Sequence, residues 1–175
     1  MLAPTVAAAI GFRAVSELEG ADAGGQHHVS VSSLGTIEQL PRPLASTLAP
    51  GLESEFEFDV VGPLLTDVGG TIAVRVLSTP GMVAVIERTC AVLSLQHLEQ
   101  SKATVGFEIC VKHVAASLEG ARCRVHVRLR EVAEGRKLRF DVEVRELADD
   151  ERVIGVGTHE RRVIDVGAHA TVAGR

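Results

Sequence analysis

The chain predicts an α+β domain, a curved antiparallel sheet wrapped around one long central helix, on three observations. One stretch, 76–100 (VLSTPGMVAVIERTCAVLSLQHLEQ), carries helical periodicity over its whole length, and no other stretch does. Four consecutive segments after it alternate apolar and polar residues with period two. An antiparallel sheet with one apolar face needs a layer against that face, and the single helix is the one element available to supply it.

Residues 1–50 differ in texture from the rest. They are rich in Ala, Gly, Ser and Pro, their apolar positions keep no period, and Gly20, Gly24 and Gly25 interrupt any helix begun at Ala14. They read as a flexible or loosely docked N-terminal extension. His27 and His28 are adjacent but have no third ligand nearby, so no metal site is expected. The domain proper is expected over 51–166. From Leu52, SEFEFDVV reads as a first strand. Residues 61–75 hold Pro63 and the pair Gly69–Gly70, and read as a loop with at most one short helical turn.

The helix follows. Thr79 is the expected N-cap, with Pro80 at the first helical position, where its missing N–H costs nothing. Met82, Val83, Ile86, Cys90, Leu93 and His97 fall on one face, and Glu87 lies on its flank. The strands come next. In 103–113, Val105, Phe107, Ile109, Val111 and His113 share the face turned to the helix. In 121–132, Cys123, Val125, Val127 and Leu129 oppose Arg124, His126, Arg128 and Arg130. Glu134–Gly135 makes a turn, and 137–147 places Leu138, Phe140, Val142 and Val144 inward. The last strand is 152–165, and 167–175 is a short tail. One helix and one thin sheet bury little, so pairing with a second copy through an edge strand is expected.

Composition narrows the function. With 46% hydrophobic and 23% charged residues, the chain has the balance of a soluble globular protein. Aromatics are only 3% and the net charge is −5, which argues against stacking on single-stranded nucleic acid and against a phosphate-backbone partner. No apolar run approaches the roughly 18 residues that span a bilayer, so no membrane partner is expected. The apolar start MLAPTVAAAI lacks a basic leader and does not read as a signal peptide. Three cysteines without metal-type spacing (Cys90, Cys110 and Cys123) suggest reduced thiols in a cytoplasmic protein, with no metal.

Three polar residues converge on the buried layer in this reading: Thr79 at the helix start, Glu87 two turns on, and His113 at the end of the next strand. A Glu near an apolar layer is expected to have a raised pKa, which a neighbouring His would offset by holding the charged form. Such a pair suits acid–base work or direct attack on a carbonyl, and free N–H groups at the helix start suit an oxyanion. Taken singly, the three are a cap, a flank residue reaching solvent and a strand-end polar residue; the convergence is what suggests chemistry.

The strings VLSTPGMVAVIERTC, TVGFEICVKHVAASLEG and VGTHERRVID resemble the fluoroacetyl-CoA thioesterase-like family of hotdog-fold proteins over about 53–165. The pattern is S/T-P before the helix, Glu eight residues after the Thr, T-V-G opening the next strand, H-x-A-x-x-x-x-G closing it, and G-x-H-x-R on the last strand. The resemblance implies the hotdog fold, a homodimer, and hydrolysis of an acyl-CoA in which coenzyme A is part of the substrate and no cofactor is needed. It carries the catalytic roles to Thr79, Glu87 and His113, and substrate contact to Gly106, with His159 and Arg161 as substrate-binding or structural residues. The fluoroacetyl-specific member has phenylalanines in the loop before the helix that gate its acyl pocket. Residues 61–78 contain no aromatic, so the expected substrate is another short or branched acyl-CoA. The alternatives are a non-catalytic acyl-CoA-binding or dimerisation module and, lower, a hydratase, whose usual Asp/His pair has no Asp here near the helix face.

Overall fold

The computed structural model describes residues 41–167; the rest of the expected extension, His27 and His28 included, and tail residues 168–175 lie outside the described residues. Among the described residues the elements follow in the order β1 (Glu53–Asp59), β2 (Leu65–Thr66), β3 (Val76–Leu77), α1 (Thr79–Gln96), β4 (Lys102–His113), β5 (Arg122–Ala133), β6 (Lys137–Glu146) and β7 (Arg152–Asp165). The main sheet is antiparallel in the order β1-β5-β6-β7-β4, so β1 and β4 are its edges. β2 and β3 pair as a small separate ribbon; the sequence reading had placed β2 within the loop 61–75 and β3 at the start of the helix-bearing stretch 76–100. The short helical turn expected there is a 3-10 turn at Gly62–Leu64.

Alternation decides what the sheet buries. Cys123, Val125, Val127 and Leu129 of β5, with Leu138, Phe140, Val142 and Val144 of β6, form the inner face. The helix closes it with Met82, Val85, Ile86, Cys90 and Leu93. Val85 takes the place expected for Val83, which is only half-buried. This is the hotdog arrangement: one helix held in a curved antiparallel sheet. The outer face is covered by ion pairs such as Arg124 with Glu57 and Arg130 with Asp141; each is exposed and adds little alone. Among the described residues no helix is long and apolar enough to cross a membrane.

Two local departures from the sequence reading position the candidate site. Ser78, not Thr79, caps the helix: Ser78 has an extended backbone and its hydroxyl accepts the Gly81 N–H at 2.9 Å. Thr79 is the first helical residue, and its side chain is released for other work. Second, β4 carries a bulge at Phe107, between the pairs Gly106–Arg161 and Glu108–Glu160. One extra residue reverses the alternation before it. Ile109, Val111 and His113 keep the inward face expected of them, while Val105 and Phe107 are 45% and 63% exposed and Gly106 turns inward. Ahead of β1, Arg42 Nη2 donates to the Glu99 carbonyl at 2.6 Å, and the Thr47 N–H to that of His97 at 2.8 Å.

Candidate active site

The polar residues expected at the site form two groups. The first is at the start of α1, where Thr79 Oγ1 lies 3.1 Å from His113 Nδ1. The cap explains how a helix-start residue can do this: Ser78 satisfies the Gly81 amide, so the Thr79 hydroxyl is not needed there. The Met82 N–H bonds to the Ser78 carbonyl and Pro80 has no N–H, so the oxyanion donors expected at the helix start reduce to the Thr79 amide. His113 Nε2 is buried and has no hydrogen-bond partner among the described residues. A buried ring nitrogen in that state is costly unless something else completes it.

The second group surrounds Glu87. Eight residues at 1.5 Å per residue put it about 12 Å along the helix from Thr79. Its carboxylate lies over the backbone of Gly106, so close that a methyl group on residue 106 would overlap Oε1. Glycine is therefore what allows the carboxylate to rest on β4. Arg161 and His159 lie behind it and are almost fully buried. Arg161 donates to Thr104 Oγ1 at 2.9 Å, to the Thr104 carbonyl at 3.0 Å and to the Glu87 carbonyl at 3.3 Å. His159 Nδ1 lies 2.7 Å from the Glu108 carbonyl and its Nε2 3.1 Å from Arg161 Nη1. A carbonyl only accepts and a guanidinium only donates, so Nδ1 carries the proton and Nε2 is the acceptor. Burial first, and the Arg161 charge as well, push the His159 pKa down, which keeps the ring neutral. The 3.8 Å approach of His159 Nε2 to Glu87 Oε1 is therefore not an ion pair.

Within one chain, then, the three expected catalytic residues do not converge. Thr79 meets His113, whereas the histidine beside Glu87 is His159. Glu87 is also 44% exposed at its side chain, so it is not enclosed by the apolar layer. Gly106, His159 and Arg161 all gather around Glu87, with Arg161 and His159 contacting protein groups on every side described. Sequence reasoning missed Ser78, whose signal was present in the S-T-P-G run, and Thr104, which holds Arg161 from the first position of T-V-G. Among the described residues no group of three or more His, Cys, Asp or Glu could hold a metal ion.

Residues 65–167 match the family described as fluoroacetyl-CoA-specific thioesterase. The chain belongs to this family. A curated relative, the fluoroacetyl-CoA thioesterase of Streptantibioticus cattleyicolor, is 39% identical over 90 residues, which is 51% of this chain and 62% of the relative. The chain thus spans a little under two thirds of that relative. The solved structure of the fluoroacetyl-CoA thioesterase FlK superposes with a TM-score of 0.64 at 28% identity, covering 73% of this chain and 96% of FlK. A variant of FlK solved with fluoroacetate and CoA gives a TM-score of 0.61 at 30% identity, covering 70% of this chain and 99% of that one. As a member of the fluoroacetyl-CoA-specific thioesterase family, the chain keeps its described site within the matched segment.

Proposed function

We propose that this chain is an acyl-CoA thioesterase acting on a short or branched acyl group, at a site that two copies build together. The observation that carries this reading is the 3.1 Å contact between Thr79 and His113 at the helix start, in a chain of the thioesterase family. The thioester carbonyl would take hydrogen bonds from the Thr79 hydroxyl and amide, which draw electron density from its carbon. Glu87 would remove a proton from the attacking water, or add to the carbonyl itself to give an anhydride that water then opens. Either way the carbon–sulfur bond breaks, the sulfur leaves as the thiol of CoA, and the acid is released. His113 would hold the Thr79 hydroxyl and, through Nε2, the water or the carboxylate.

Pairing of two copies would bring Glu87 to this site. Among the described residues β4 is an edge strand with one side unpaired, and it exposes Val105 and Phe107. Antiparallel pairing with a second β4, centred between Ile109 and Cys110, sets His113 opposite the partner's Gly106. The partner's Glu87 comes with it. CoA would then enter between the subunits. The loop ahead of the helix presents Val68, Ile72 and Val74 to solvent and holds no aromatic, which suits an aliphatic acyl group.

The test is thiol release by the purified chain across short, branched, aromatic and halogenated acyl-CoAs, with Glu87→Gln in parallel. Turnover of the short or branched class, reduced about 100-fold or more in the variant, is expected. A folded chain that releases no thiol from any of them would contradict the proposal and leave a non-catalytic acyl-CoA-binding module.

A further inference from the structure

A polar cluster with no role in the chemistry above, buried at Ser117 and open to solvent at Arg152, lies under the segment that joins β4 to β5. Ser117 is fully buried there. Its hydroxyl donates to Glu146 Oε2, and Cys123 Sγ lies 3.4 Å from the same oxygen of Ser117. Glu146 takes the next inward position of β6 after Val144, so a carboxylate interrupts an otherwise apolar face. Arg152 Nη2 reaches both Glu146 Oε2 at 2.9 Å and the Ala116 carbonyl at 2.6 Å.

The backbone of the same segment shows what the cluster holds. The Ser117 carbonyl accepts the Leu77 N–H at 2.8 Å, two residues before Thr79. Leu118 bridges to Val76, and the Glu119 N–H bonds to the Arg75 carbonyl at 3.1 Å. At its other end the segment begins directly after His113, where the Val114 N–H bonds to the Ile154 carbonyl at 2.9 Å. One short run of chain therefore fixes both the strand leading into Thr79 and the strand ending in His113. We propose that Ser117, clamped by Glu146 and Arg152, is a positioning residue that sets the Thr79–His113 contact. This rests on the thioesterase reading for its kinetic consequence, but not for its geometry.

The experiment uses the full chain with Ser117→Ala, and with Glu146→Gln, which keeps the shape of the carboxylate should the first variant fail to fold. Two readouts are taken. Thiol release from the best acyl-CoA should show kcat reduced about tenfold with KM within about twofold, the scale of one hydrogen bond to a charged group. In a Thr79→Ala background the same change should cost nothing further. The imidazole resonances of His113 should move toward those of Thr79→Ala, whether or not there is turnover. An equal kinetic loss in both backgrounds, which a merely structural role would give, overturns the proposal. So does an unmoved His113 resonance. A wild-type chain that releases no thiol overturns the thioesterase reading alone, because the resonance test of positioning still stands.

Discussion

Glycine at position 106 is the residue on which the placement of Glu87 turns. A Cβ there would overlap the Glu87 carboxylate and sit 3.5 Å from His159 Cε1. The carboxylate is the free end of a flexible side chain, so it can move aside at little cost in stability. Gly106→Ala is thus expected to change unfolding free energy by less than about 1 kcal/mol while cutting kcat about tenfold or more. Paired denaturation and thiol-release assays check this, and unchanged kcat would contradict it. His159 makes a second residue-level prediction. Its pKa is depressed in the folded chain below the ordinary 6.5, mainly by burial. The unfolded chain therefore binds the proton more readily, so stability is complete above 6.5 and is lost as pH falls below it, by at most about 1.4 kcal/mol per pH unit for one group. His97 is shifted the same way by burial, so a His97→Gln variant isolates the share of His159. Carboxylates held below 4.5, such as Glu57 and Glu146, give up their contribution only at lower pH. Urea unfolding from pH 7.5 to 5.5 should follow this fall, and a flat profile would refute it. That Thr79 stands at the helix start, Glu87 on the helix flank and His113 on the inward face of β4 was legible in the sequence from residue type and face. Their partners were not, because period-two alternation says which face a side chain takes and not which neighbour it meets.

At the scale of elements, the strand faces of β5 and β6 were readable residue by residue, because one side is packed and the other is charged. β4 was readable only beyond its bulge. A single extra residue reverses the alternation, and no residue in T-V-G-F-E announces it before the pairing with β7 is known. The helix start was misread by one residue because Pro is tolerated at either of the first two helical positions, so Ser78 and Thr79 were both eligible caps. The two glycines of β7 separate packing against a side chain from packing against backbone. A Cβ at Gly155 would meet the Met82 sulfur at 2.5 Å, and a thioether can swing away. A Cβ at Gly157 would strike the Cys110 carbonyl and lie 2.8 Å from Val111 Cα, which are strand backbone and cannot yield locally. Gly157→Ala is therefore expected to cost about 3 kcal/mol and Gly155→Ala about 1 kcal/mol or less, as read from thermal melts. Equal costs would contradict this account of how tightly β4 crosses β7.

At the scale of the whole molecule, one chain supplies the parts of the proposed site without bringing them together. Thr79 and His113 lie at one end of the helix face, Glu87 rests on Gly106 further along, and the edge strand between them is open. Fold class and family were within reach of the sequence, but the division of the site was not, because pattern alone cannot show which elements of one chain fall short of each other. The central claim, a thioesterase site completed by a second copy, is tested most directly by mixing two variants that are each strongly impaired but measurable. Thr79→Ala and Glu87→Gln chains are denatured together in equal amounts, refolded, and assayed for thiol release. If each site takes Thr79 and His113 from one chain and Glu87 from the other, half of the dimers are mixed and each mixed dimer holds one intact site. Activity should then return to about a quarter of the wild-type value, by the isologous pairing of a two-fold dimer. Activity no higher than that of the separate variants, with mixed dimers confirmed, would contradict the claim and place the whole reaction within a single chain.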